Sequence, residues 1–258
     1  MEIYNNGKPE KEGNSMFTAN HFLWLGLCAL GIFAGLRIAL KKQISVRTAG
    51  ICMCVISAFS EFSKMMTHML PSPLGGCALD PEALPFHLCS MQIFVVLYIT
   101  FARESPRRNQ VISFFVPSGL LGGIMAMLIP TDGVSFRDIL AYQCFVYHAG
   151  LVWLALWFLC TKQVDMGVRV WRRNLLILLG LALVMIYVNG AFYAYGTNFM
   201  FLTRPPMEGL PILNLDHGWY GYLGSLAIVA VALMTLVHLP FMLAERRSKK
   251  KQGGMVCD

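Results

Sequence analysis

The chain has 258 residues, of which 56% are apolar and only 14% charged, and its mean hydropathy is +0.57. Soluble domains carry about 25% charged residues, so this composition excludes an ordinary soluble domain and indicates a membrane protein. The net charge of +7 would suit nucleic acid, but the basic residues lie in clusters between apolar runs, which argues against such a partner.

Seven apolar runs have the length of transmembrane helices, which need about 20 residues each. They predict an all-α integral membrane protein with one seven-helix bundle over residues 19–244. A polar, disordered N-terminus (1–18) is expected before it and a basic tail (245–258) after it. In chain order the runs are Phe22–Leu40, Val46–Leu70, Pro85–Ala102, Gln110–Ile129, Phe136–Cys160, Asn174–Gly196 and Gly218–Leu243.

Most of the basic residues fall on one side of the membrane if the seven helices alternate in direction. The positive-inside rule makes that side cytoplasmic, so the N-terminus is expected outside and the C-terminus inside. The basic tail is expected to lie against anionic lipid headgroups. The clusters begin at Arg37, Arg103, Lys162 and Arg246 and follow helices one, three, five and seven.

Helix two carries five polar residues, three or four positions apart, which places them on one helical face. Ionisable groups within a membrane are costly, so this face is expected to look into the bundle or into water. It is either a polar seam that fixes packing, with Glu61 neutralising Lys64, or the proton path of a small-molecule transporter. The five residues are Cys54, Ser57, Glu61, Lys64 and His68.

Two other helices carry candidate site residues. On helix three, Cys89 and Gln92 are one turn apart, whereas His87 points elsewhere and does not form a chelating pair with Cys89. No metal or cofactor site is expected, although His87, Cys89 and His148 form a minor option for a metal. On helix five, Tyr147 and His148 offer a partner for Cys89, although a histidine in a helix is more often a packing residue.

Amides and a phenol near the outer end of helix six form a further group. Asn189 and Tyr193 are four residues apart, and Asn198 follows directly. Such groups usually join helices, but they also bind lipid carbonyls or headgroups. The next segment, 197–216, holds three prolines and is too short to cross the membrane. It is expected either to re-enter the outer half of the membrane or to rest on the headgroups.

Three motifs carry a resemblance: LPFHLCS at 84–90, YH at 147–148 and TNFMFLTRPP at 197–206. They resemble the bacterial YwaF-like membrane protein family over about Asn20 to Leu243. That family is similar to an animal polytopic acyltransferase that remodels ether phospholipids, and more distantly to membrane hydrolases that pair Thr with His. In the animal enzyme a cysteine of the first motif and a later histidine are taken as catalytic. By motif these are Cys89 and His148.

The resemblance implies a lipid acyltransferase in a bacterial plasma membrane, with phospholipids and lysophospholipids as partners and with no cofactor. Cys89 would carry the acyl group as a thioester and His148 would move the proton. Gln92, Asn189 or Asn198 would donate to the oxyanion, while Glu61 would orient His148 or a water molecule. With water as acceptor the reaction becomes hydrolysis. A transporter, a seven-helix sensor and a scaffold without chemistry remain the alternatives, and the oligomeric state stays open.

Overall fold

The computed structural model describes residues 17–71, 76–131, 133–207 and 209–254, with side chains to residue 248. Residues 1–16, most of the polar N-terminus, lie outside the described residues. The side chains of the tail lysines, Lys249 to Lys251, also lie outside them. The described chain is mostly helical, as the composition predicts, with one short antiparallel hairpin of strands β1 (Met69–Pro71) and β2 (Cys77–Leu79). The helices are α1 (Ala19–Lys41), α2 (Val46–Thr67), α3 (Leu88–Phe101), α4 (Pro106–Leu128), α5 (Ile139–Cys160), α6 (Val168–Ala191) and α7 (Gly218–Gly254).

Six of these helices are long and apolar enough to cross a membrane, all except α3. With 14 residues, α3 extends about 21 Å at 1.5 Å per residue, less than a hydrocarbon core of about 30 Å. The prediction of a full span from Pro85 to Ala102 is therefore wrong at its N-terminal end. Leu84 is extended, as a residue before proline prefers, and Pro85 and Phe86 form a turn, so the helix begins only at Leu88.

Helix α5 lies at the centre of the fold and packs against α1, α2 and α4. Helix α3 also packs against α2 and α4, so α2 and α4 lie between α3 and α5. Two glycines permit close approach. A Cβ atom on Gly50 of α2 would overlap the Thr100 side chain of α3, and one on Gly123 of α4 would lie 2.8 Å from the His148 carbonyl of α5.

Helices α6 and α7 pack on each other and on α4 at the edge of this group. A buried polar network joins them: the Asn174 amide of α6 donates to the Ser113 carbonyl of α4 at 2.7 Å. The same amide lies 3.4 Å from His238 Nε2 of α7, and His238 Nδ1 donates to the Met166 carbonyl at 2.9 Å. The two peripheral helices are thus fixed to the core by hydrogen bonds rather than by apolar contact alone.

The segment predicted to re-enter the membrane divides into two parts. Its first part is buried, with Phe199 fully enclosed and Leu202 5% exposed among side chains of α6 and α7. Its second part is largely exposed, including Ile212 and Leu215. Its first part therefore packs against α6 and α7. The depth of the segment in a membrane stays a prediction.

Candidate active site

The segment before α3 is partly buried, and Cys89 follows it in the first turn of that helix. Asp80 and Ala83 are 8% and 9% exposed, although both belong to a connecting loop. Cys89 is the second residue of α3, and its backbone carbonyl accepts a 2.7 Å hydrogen bond from the Tyr147 hydroxyl of α5. This bond links the first turn of α3 directly to the helix that carries His148.

Two members of the polar face of α2 contact α3, in agreement with a face that looks into the bundle. Cys54 lies 3.7 Å from the Thr100 hydroxyl, and Lys64 Nζ donates to the Ser90 hydroxyl at 3.3 Å. Lys64 also forms an ion pair of 2.6 Å with Glu61. The two charges therefore neutralise each other inside the bundle.

His68 differs from the other four residues of that face, because α2 ends at Thr67. It occupies the C-cap position, and its Nδ1 donates to the Lys64 carbonyl at 3.0 Å. Ser57 is buried between the other members of the face and is 2% exposed. The predicted face of five thus consists of four helical residues and a capping histidine.

Further polar contacts join α3 to α4 and α5 to α2. The Gln92 amide donates to the Ser118 hydroxyl of α4 at 3.0 Å, and the Gln143 amide of α5 donates to the Ser60 hydroxyl of α2 at 2.7 Å. Gln92 is 1% exposed, and its Oε1 has no hydrogen-bond partner among the described residues. A buried acceptor of this kind favours a polar guest, a water molecule or a substrate group.

His148 is 7% exposed and lies in the same helix as Tyr147, on the neighbouring face. Its Nδ1 lies 2.7 Å from the Cys144 carbonyl, which only accepts hydrogen bonds, so Nδ1 carries the proton. In the neutral ring Nε2 then holds the lone pair, the arrangement that a general base requires. The Cys144 thiol is 3.7 Å from the same Nδ1, so it belongs to the surroundings of His148.

The amides of the third predicted group act on the backbone. The Asn189 amide binds both backbone polar groups of Phe199: it accepts from the Phe199 N–H at 2.8 Å and donates to the Phe199 carbonyl at 3.0 Å. Asn198 accepts from Thr203 and from the Arg204 N–H and donates to the Arg204 carbonyl. Both side chains hold residues 197–204 in shape, and an oxyanion role for either stays a prediction.

Tyr193 lies away from these residues. Helix α6 ends at Ala191, five residues earlier than the sequence predicts, so Tyr193 no longer follows Asn189 along one helical face. Its side chain is 76% exposed on a short 3-10 turn. The expected placement of Tyr193 and Asn189 on one helical face is therefore wrong, while contact of the exposed Tyr193 with a lipid stays a prediction.

Residues 197–204 reach the N-terminus of α3 through aromatic contacts. The ring of His87 lies 5.6 Å from Phe199 and 5.3 Å from Phe201. Met200 and Phe201 both have a φ of 55°, a conformation that non-glycine residues adopt only where surrounding contacts impose it. The segment is thus a fixed element that closes over His87, two residues before Cys89.

Sequence reasoning missed three residues that contribute to this interior: Ser90, Ser118 and Gln143. Each is small or polar within an apolar helix, and polar residues at such positions usually bond across helices. That rule flags them, but a sequence does not show which partner each one faces.

A family comparison covers this whole arrangement, since the model described as TMEM164 family matches residues 16–238. The chain belongs to the TMEM164 family. As a member of that family with six helices of spanning length, it is a multi-pass integral membrane protein. No curated protein and no solved structure matches the chain. The matched residues include every helix that lines the candidate site.

Proposed function

We propose that this TMEM164-family protein is a membrane lipid acyltransferase that works through an acyl thioester on Cys89, with His148 as its base. One observation carries the proposal: the Tyr147 hydroxyl binds the Cys89 carbonyl at 2.7 Å, so the thiol residue is held against the helix that carries the histidine. Both residues belong to a polar interior within an otherwise apolar bundle, and such interiors in membranes are usually functional.

The first half-reaction transfers an acyl group from a phospholipid to the protein. His148 Nε2 takes the Cys89 proton, and the sulfur attacks the ester carbonyl to form a C–S bond. The ester C–O bond then breaks, and the leaving alkoxide takes the proton back from the imidazolium. The products are a thioester on Cys89 and a lysophospholipid.

The second half-reaction returns the acyl group to an acceptor. His148 removes the proton of a lysophospholipid hydroxyl, whose oxygen attacks the thioester carbonyl. The C–S bond breaks, and the Cys89 sulfur recovers the proton from His148. With water as the acceptor the same steps release a fatty acid, so exclusion of water decides between transfer and hydrolysis.

The position of Cys89 supports access from the membrane side on which the 197–204 segment lies. By the positive-inside rule this is the outer leaflet, and by the resemblance to YwaF-like proteins the membrane is a bacterial plasma membrane. The donor and acceptor are then phospholipids and lysophospholipids of that leaflet, with no cofactor required by the chemistry.

Mass spectrometry of the intact, detergent-purified chain tests the proposal. Wild type, Cys89→Ser, His148→Ala and the matched control Cys160→Ser are each incubated with a mixed phospholipid extract. We expect a hydroxylamine-labile adduct of fatty-acyl mass on wild type and on Cys160→Ser, and none on Cys89→Ser. Turnover of labelled lysophospholipid that continues unchanged in Cys89→Ser would falsify the thioester mechanism.

The transporter alternative predicts the opposite pattern. There, Glu61→Gln abolishes uptake of a substrate into vesicles while Cys89→Ser is tolerated. The closed ion pair between Glu61 and Lys64 makes a proton path through this face less favoured, because proton release from Lys64 would leave Glu61 without its counter-charge.

A further inference from the structure

The lysine of the Glu61–Lys64 ion pair also donates a hydrogen bond to Ser90, the residue next to Cys89. Lys64 Nζ lies 2.6 Å from Glu61 and 3.3 Å from the Ser90 hydroxyl oxygen. Ser90 is 7% exposed, and the Lys64 side chain is 15% exposed. The Lys64 ammonium of the pair therefore faces Ser90, while the Glu61 carboxylate lies one turn earlier in α2.

The N-terminus of α3 directs a second partial positive charge to the same place. The N-cap residue His87 makes no side-chain capping bond, and the first backbone N–H of this turn with a helical acceptor belongs to Met91. The preceding N–H groups of Leu88, Cys89 and Ser90 are the open donors of a helix N-terminus. Ser90 directly follows Cys89 in this first turn, so its N–H and hydroxyl belong to the residue next to the thiol.

We propose that Glu61, Lys64 and Ser90 form a chain that stabilises negative charge at Cys89. Ser90 accepts one hydrogen bond from Lys64, so its single hydroxyl proton points to the sulfur or to the oxygen of an acyl group bound there. Ser90 is thus a catalytic donor, whereas Lys64 and Glu61 are positioning residues that act through it. The catalytic part rests on the proposed acyl transfer, but the effect on the thiol does not.

A purely structural role for Lys64 makes the opposite prediction. If the Lys64–Ser90 bond only joined α2 to α3, its loss would loosen the contact and expose the thiol, and Cys89 would react faster with a small reagent. If Glu61, Lys64 and Ser90 stabilise the Cys89 thiolate, which is the reactive form, loss of Lys64 slows the reaction of Cys89 with the reagent. The sign of the change separates the two roles.

The reaction of the thiols with neutral methyl methanethiosulfonate at pH 7.5, in the full-length, detergent-purified protein, measures this sign. The thiolate attacks the reagent's methylthio sulfur, a methyl disulfide forms and methanesulfinate leaves. The variants are Lys64→Met, Lys64→Arg and Ser90→Ala, with Lys41→Met, at the end of α1, as the control for loss of a positive charge. Peptide mass spectrometry gives the rate at Cys89, and the exposed Cys160 of each variant is the internal reference. Ser90→Ala is the milder variant if Lys64→Met does not fold.

We expect Lys64→Met to slow modification of Cys89 about tenfold relative to Cys160 and Ser90→Ala about threefold, as the loss of one charge-assisted hydrogen bond implies. Lys64→Arg and Lys41→Met should stay within twofold of wild type. Rates at Cys89 that are unchanged or faster in both Lys64→Met and Ser90→Ala overturn the proposal.

The same samples separate this inference from the proposed function. Slower modification of Cys89 in the variants, together with no acyl adduct on wild type, supports the role proposed for Glu61, Lys64 and Ser90 and contradicts the acyltransferase proposal. An acyl adduct on wild type, together with an unchanged rate of Cys89 modification in Lys64→Met and Ser90→Ala, supports the acyltransferase proposal. It overturns the role proposed for Glu61, Lys64 and Ser90.

Discussion

The hydroxyl of Tyr147 donates a 2.7 Å hydrogen bond to the backbone carbonyl of Cys89, 58 positions earlier in the chain. The bond spans from α5 to α3, two helices that pack mainly through α2 and α4. Tyr147 is 2% exposed, so the bond lies in a setting without competing water. It ties the first turn of the short helix α3 to the helix that carries His148.

Replacement of Tyr147 by Phe removes this bond and keeps the ring. We expect the protein to lose about 1 kcal/mol of stability, which for a chain of this size lowers the melting temperature by about 2–4 °C. The rate of acyl-adduct formation should fall several-fold, since small misplacements of reacting groups are costly. Tyr187→Phe, at a position 80% exposed, is the control and should change neither quantity. An unchanged adduct rate in Tyr147→Phe would show that the bond does not position Cys89.

Adjacent glycines of α4 provide a matched pair for the contact with α5. A Cβ atom on Gly123 would lie 2.7 Å from the Val152 side chain and 2.8 Å from the His148 carbonyl, whereas one on Gly122 meets nothing within 4 Å. We expect Gly123→Ala to destabilise the protein by about 1–3 kcal/mol through overpacking. Gly122→Ala should be neutral or stabilising by about 0.5–1 kcal/mol. Thermal unfolding in detergent measures both, and equal melting temperatures would contradict the close packing.

Much of the fold is predictable because apolar length and polar spacing are local properties of the sequence. The runs identify α1, α2, α4 and α5 to within four residues at each end, whereas α6 is displaced by five or six residues and α7 continues 11 residues beyond its predicted end. The three-four spacing on α2 gives the face from which Cys54 and Lys64 contact α3. The N-terminal end of α3 is not predictable in this way, because Pro85 suits both the first turn of a helix and the turn that the chain adopts.

The candidate site is only partly predictable, because its geometry depends on contacts between distant segments. Cys89, Gln92, Tyr147 and His148 were chosen from motif and residue type, and the structure joins Cys89 to Tyr147 and Gln92 to Ser118. Nothing in the spacing of Asn189 and Asn198 shows that both would bind backbone groups of the 197–204 segment. That role depends on where α6 ends, which tertiary packing decides.

Asn189 should be required for the shape of that segment. Asn189→Ala leaves the N–H of the buried Phe199 without its Asn189 partner, at a cost of about 1–3 kcal/mol, and leaves the Phe199 carbonyl only the long 3.4 Å bond from the Leu202 N–H. We expect faster hydrogen exchange of the peptide covering 197–204. Asn214→Ala removes only exposed contacts of the following loop and is the control. Equal exchange of residues 197–204 in both variants would contradict the role given to Asn189.

The ion pair between Glu61 and Lys64 should show strong coupling in a double-mutant cycle. Glu61→Gln leaves a largely buried ammonium without its partner, and because both side chains are still partly exposed we expect a loss of about 1–3 kcal/mol. Lys64→Met should destabilise similarly by leaving the carboxylate, whereas the double variant removes both charges and should lose less than the sum of the single losses. Chemical or thermal unfolding of the four proteins gives the coupling energy. Additive losses would mean that the pair, although only 2.6 Å long, contributes no coupling to the stability of the protein.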